Sequence, residues 1–466
     1  MVDKRIEESI LFSFLKWYTI IGDSMNLLEL FISLGYTKED YEKIRFYSTL
    51  INLSDDTLSK KVVKNFKYWL GLGYSKEEVR KMTKLCPTIF AHSIKNMDKK
   101  MEDIISLGYI KEDVLKIIKL FPNIYSHSID SIKTKIEDIM KFGYSYEEVL
   151  KIGKKQPSIY GLDVDKMSKK IDDLVDYGYK RDDVLKMIKT CPALFSTSMD
   201  TIETLISDIC KLGFSKEEVM KMSKTSPTIL SDSIDNLKQK ITDMIGLGYK
   251  REVVIKMIKT NPVIFTVSID YINKKIDDMV LLGYERKDVL KIFKTLPAVV
   301  TLSITNITNK IDEMIKLGFS KEQVLNISKL LPSVFTSTIE NLTLKMNSVI
   351  EHGYSKEETI DMICTYPAVF STSVEGMKEK LSYYDSIDMH DLAIKYPRQL
   401  MQGVALSYAK YHYFKNKGIL VTMENYYKLF ESNKVFEKRE KITKKDLLNL
   451  YSFEEYKRRL NDERIA

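Results

Sequence analysis

The sequence predicts an all-α fold, a solenoid of 35-residue helix–proline turn–helix repeats closed by degenerate capping repeats. Three observations predict it. Nine of the ten prolines, from Pro87 through Pro122, Pro157, Pro192, Pro227, Pro262, Pro297 and Pro332 to Pro367, recur every 35 residues without insertion or deletion. A glycine followed by an aromatic residue stands fourteen residues before each of them, as in Gly73-Tyr74 and Gly213-Phe214. Between these marks the apolar residues fall at helical spacing. A fixed period of this length marks an array whose units bury their apolar faces only by stacking, so one elongated body is expected rather than several globular domains.

Counting from the glycine as position 1, position 3 is Ser in five copies with Glu or Gln three residues later, as in Ser75/Glu78, Ser145/Glu148 and Ser320/Gln323. That is the capping-box pattern of a helix start. Positions 7, 10 and 14, for example Val79, Met82 and Cys86, form the buried stripe of this first helix. The proline at position 15 lacks an N–H and disfavours helical geometry in the residue before it, so the first helix stops there. Position 21 is Ser, Thr338 or Asp163, all good N-caps, and begins a second helix with apolar positions 22, 25, 29 and 32, such as Ile129, Ile132, Ile136 and Ile139. This helix ends at the next glycine, a residue suited to a left-handed C-terminal turn, under which the following aromatic packs.

Residues 1–72 are expected to form an N-terminal cap containing a degenerate first copy ("SLGYTKED", 33–40), and residues 73–387 nine regular repeats. Residues 388–466 are expected to hold a degenerate last copy around Pro397 and a basic C-terminal cap. That last segment carries 16 Lys/Arg against 11 Asp/Glu, most of the chain's net charge of +8, and is a candidate anion-binding end. Apolar runs are too short for a membrane span. The scattered cysteines Cys86, Cys191, Cys210 and Cys364 offer no metal or redox pair. The start, with Asp3, Glu7 and Glu8, does not look like a leader peptide, so a reducing cytoplasm is the expected compartment.

The repeat, roughly "LGxSxEEVxKMxxxxPxIFxxSxxxxxxKIxxL", resembles that of the mitochondrial transcription termination factor (mTERF) family over about residues 33–440. The segment "LSYAKYHYFKNKGI" (406–419) is similar to the family's end region. The resemblance implies a curved, left-handed solenoid of helix pairs with a short 3₁₀ segment after each proline. It also implies binding of double-stranded DNA or structured RNA along a basic concave face, and a part in regulating transcription or RNA metabolism. The pentatricopeptide repeat shares the period but places its proline differently. The regular copies and the acid-containing start suggest a bacterial or otherwise unimported relative.

Three repeat positions are rich in lysine. At position 9, Lys81, Lys116, Lys151, Lys186, Lys221, Lys256 and Lys291 mostly follow an acid four residues earlier, the pairing of a solvated helix. Position 28 is lysine in eight copies, usually with an acid three residues later, and is read in the same way. Position 12, with Lys84, Lys119, Lys154, Lys189, Lys224, Lys259, Lys294 and Lys329, has no such local counterion and is the expected phosphate-contact line. The competing reading of these lysines is ordinary stabilisation of helix C-termini. The alternative function is a protein-interaction scaffold, favoured by acids at positions 5, 6, 23, 30 and 31. His92 and His127 share position 20, lack a third metal-type ligand, and are expected at the surface. No nucleophile–base pair or phosphate-binding glycine loop is found, so neither an enzyme nor a cofactor is expected. A monomer is expected.

Overall fold

The computed structural model describes residues 26–454 and Arg458, so the reading of the first residues lies outside what is described. The described residues contain α-helices, 3₁₀ segments and turns, and no strand. They divide into two compact units at Gln239/Lys240, and the same repeat builds both.

Each repeat starts with a ten-residue helix, as in Lys76–Leu85, Lys111–Leu120 and Tyr146–Lys155. The five expected capping boxes are all formed, those of Ser75, Ser145, Ser215, Ser320 and Ser355. The helix stops one residue before proline, where the backbone turns extended: Cys86 has φ −143° and ψ 81°. Pro87 then opens a 3₁₀ turn, Pro87–Phe90, and every later copy repeats this. Proline suits the first position of such a turn because its preset φ is the one required and its missing N–H would have no partner. The second helix starts on the expected cap, with Ser93 Oγ accepting from Asn96 N at 3.2 Å. It ends at a glycine with φ between +93° and +122° through the regular copies, where a side chain would be strained.

The expected stripes are in the core: Val79, Met82, Cys86, Ile132, Ile136 and Ile139 are all buried, whereas Ile129 is half-buried. Removing each such side chain from water contributes about 1.5–3 kcal/mol relative to leaving it exposed, and that burial happens only when copies stack. The position-2 aromatic reaches further than the turn it follows. Tyr74, Tyr109 and Tyr144 donate their hydroxyls to the carbonyls of Leu115, Leu150 and Leu185 in the next copy, at 2.7, 3.0 and 2.9 Å. Where position 11 of the next copy carries a hydroxyl, the tyrosine bonds to that instead, as Tyr179 does to Ser223 (2.7 Å) and Tyr284 to Ser328 (2.6 Å).

Position 28 departs from the expectation of a solvated lysine in five copies, whereas Lys310 keeps the expected pair with Glu313 at 2.7 Å. Lys100 and Lys135 donate at 2.5 Å to the carbonyls of His127 and Leu162, each at the end of the next copy's 3₁₀ turn. Lys275, Lys345 and Lys380 make the same kind of bond to Leu302, Phe370 and Leu400. Lys170, Lys240 and Lys275 are buried, and burial pushes the ammonium pKa of Lys170 and Lys275 down. A lysine stem lies along apolar surface at little cost while its head satisfies carbonyls that the short turn leaves open. These lysines join copies.

Candidate nucleic-acid interface

The first helices stack on one another from copy to copy within each unit. Positions 9, 12 and 13 face the same way, since three and four residues bring a helix back to one side. In the first unit they line an open groove of about 810 Å³ formed by Lys116, Lys119, Leu120, Glu148, Lys151, Lys154, Lys155, Lys189 and Thr190. Six lysines and one glutamate line it. Of the expected contact residues, Lys119, Lys154 and Lys189 are brought together here. Lys84 and Lys224 take the same place in neighbouring copies, and Lys259, Lys294 and Lys329 do so in the second unit.

The expectation that position 12 lacks a counterion is overturned. Six of these lysines reach back to the acid at position 6 of the preceding copy. Lys84 pairs with Asp40 at 3.0 Å, Lys119 with Glu78 at 3.1 Å and Lys154 with Asp113 at 2.7 Å. Lys189 pairs with Glu148 at 2.8 Å, Lys224 with Asp183 at 2.8 Å and Lys329 with Asp288 at 2.9 Å. In the regular copies the partner lies 41 residues away in sequence, one repeat plus six, and for Lys84 it lies 44 away, so no search along a single helix reveals it. Lys294 has no ion pair among the described residues, because the corresponding residue is Val253. Where position 6 is Gln323, position 12 of the next copy is Cys364. Loss of the acid there accompanies loss of the lysine.

The acids are held from both sides. Glu78 Oε2 accepts from its own cap residue Ser75 N at 2.8 Å while Oε1 takes Lys119, and Glu148 does the same with Ser145 N (3.0 Å) and Lys189. The Ser75 amide first, and Lys119 with it, holds the Glu78 carboxyl below the usual carboxylate range. At Glu148 and Asp183 the lysine is the larger cause of the same downward shift.

Position 9 is the reverse case. Among the described residues only two of the expected local pairs form, Lys81–Glu77 at 3.6 Å and Lys151–Glu147 at 4.0 Å. Lys116, Lys186, Lys221, Lys256 and Lys291 are exposed and have no ion pair among the described residues. Sequence reading missed this line because it took an acid at i−4 for a formed pair, although exposed lysine–carboxylate pairs hold their geometry weakly. Lys155 Nζ lies 3.2 and 3.3 Å from the carbonyls of Lys189 and Thr190, at the end of the next first helix.

Part of the basic C-terminal region is paired within itself. Lys417 pairs with Glu440 at 2.8 Å, Arg439 with Glu431 and Glu440, and buried Lys410 donates to the Glu431 carbonyl at 2.7 Å. Lys417 and Arg439 together push the Glu440 carboxyl down to about 2. His92 and His127 are half-buried rather than at the surface. His127 packs against Phe121 with ring centroids 5.7 Å apart, and burial pushes the pKa of both down. Among the described residues no group of three His, Cys, Asp or Glu side chains is placed to hold a metal ion. Nor is any helix there long and apolar enough to cross a membrane.

A family model described as mTERF matches five overlapping segments, residues 22–177, 102–204, 174–246, 236–352 and 281–404. Comparison with curated proteins returned no match.

Proposed function

The chain belongs to the mTERF family of nucleic-acid-binding helical-repeat proteins, and from that premise we propose that it binds double-stranded DNA or structured RNA along the lysine face of its first helices. The observation that carries the reading is the groove in which Lys116, Lys119, Lys151, Lys154, Lys155 and Lys189 converge. A duplex backbone presents a regular row of phosphates, and stacked helices about 10 Å apart present a matching row of ammonium groups.

In this reading the unpaired position-9 lysines make the primary contacts, with Lys294 beside them. The expected position-12 contacts Lys84, Lys119, Lys154, Lys189, Lys224, Lys259 and Lys329 are secondary. Such contacts position a backbone without reading its sequence. Control of transcription or RNA metabolism would follow from occupancy of a target.

Binding of labelled duplex DNA and of a structured RNA, each measured at several salt concentrations, tests the proposal. Affinity falling steeply with salt supports it, and the tighter of the two ligands identifies the target class. Absence of binding to both at low salt refutes it.

A further inference from the structure

Three groove lysines, Lys119, Lys154 and Lys189, are held by Glu78, Asp113 and Glu148 of the preceding copies. The two partners are not equally free. Glu78 and Glu148 are anchored at their helix N-termini by capping boxes, with one oxygen committed to a backbone amide. The lysines end long flexible stems and remain partly exposed, at 38%, 45% and 43% of the side chain. A phosphate approaching Lys119 or Lys189 therefore meets a carboxylate that is anchored in place. It must draw the lysine off, or sit beside a fixed negative charge.

We propose that the position-6 carboxylates act as built-in competitors of phosphate, holding these lysines until a polyanion displaces them and so setting the affinity and salt dependence of the groove. The proposal rests on the groove being the nucleic-acid site. It separates two classes of lysine on one face. Position 9 meets phosphate directly, releasing only solvated counterions, whereas position 12 must first give up a fixed carboxylate.

Salt dependence distinguishes the proposal from a general charge effect, because each lysine newly available to phosphate adds about 0.9 to the slope of log affinity against log salt. The test uses the full chain carrying Glu78→Gln, Asp113→Asn and Glu148→Gln. Gln is compatible with the capping box, as Gln323 demonstrates. The control neutralises three exposed second-helix acids, Glu102→Gln, Glu137→Gln and Glu203→Gln, for the same change in net charge.

With labelled duplex DNA as probe, the first variant is expected to bind about tenfold tighter than wild type at low salt, with a slope steeper by about 2–3. The control should move affinity much less and leave the slope alone. Circular dichroism checks folding, and the single variant Glu148→Gln, with a slope change of about 1, serves if the triple variant unfolds. Equal affinity gains in both variants, or an unchanged slope, overturns the competitor role while leaving the groove as the binding site. No binding by wild type or either variant overturns the assignment of the site itself.

Discussion

Gly153 shows how closely the copies fit. It lies inside a helix, where glycine is ordinarily unfavourable, yet a Cβ there would stand 2.5 Å from the Tyr109 hydroxyl and still nearer that of Tyr160. Those two hydroxyls share a buried hydrogen bond at 2.5 Å, and Tyr109 also donates to the Leu150 carbonyl. Gly153→Ala should therefore destabilise the chain by about 1–3 kcal/mol despite its better helix propensity; urea unfolding measures this, and a neutral or stabilising effect would refute the packing. The inter-repeat carboxylates make a second prediction at this scale. Glu78, Glu148 and Asp183 titrate below their unfolded values, so their contribution is complete above the ordinary carboxylate range, about pH 4, and is lost as pH falls through their lower folded values. The melting temperature should drop between about pH 4.5 and 3, and by less in Glu148→Gln than in wild type.

At the scale of the element, what was legible in the sequence was whatever a single helix or turn encodes. Capping boxes, the stop before proline and the left-handed glycine are local, each resting on residues two to four apart, and all form where expected. The contacts between copies were not legible from local spacing. Lys135 and Asp138 read as a solvated pair, yet the lysine crosses to Leu162, and Lys119 finds its acid 41 residues upstream. The available signal was the recurrence of an acid at position 6 before a lysine at position 12 of the next copy, as at Glu148 and Lys189, rather than spacing within one. Position 28 supplies its own test. Lys135→Met leaves a turn carbonyl without its donor and should cost about 1–3 kcal/mol in urea unfolding. Leu205 is the one regular copy without this lysine, and it borders a cleft of about 390 Å³ lined by Asp200, Asp208 and Asp232. Leu205→Lys should raise the melting temperature by supplying an ammonium to that acidic cleft; a clear loss of stability would contradict this account of position 28.

At the scale of the whole chain, the unbroken 35-residue register turns each position into a line within each unit, so a functional surface is chosen by position rather than by individual residue. The net charge of +8 says little about where a polyanion binds, because most position-12 and position-28 lysines, and some C-terminal cations, are engaged with carboxylates or carbonyls. What distinguishes one face is the line of exposed position-9 lysines beside the groove. The direct measurement is the salt-dependent affinity for labelled duplex DNA and structured RNA of a chain carrying Lys116→Glu, Lys151→Glu, Lys186→Glu and Lys221→Glu. A control reverses four exposed second-helix lysines, Lys95, Lys99, Lys133 and Lys169. The account predicts that the first set loses at least about 100-fold in affinity and flattens the salt slope by about 3–4, while the control changes both far less. Equal losses in the two sets, or binding untouched by the first, would contradict it.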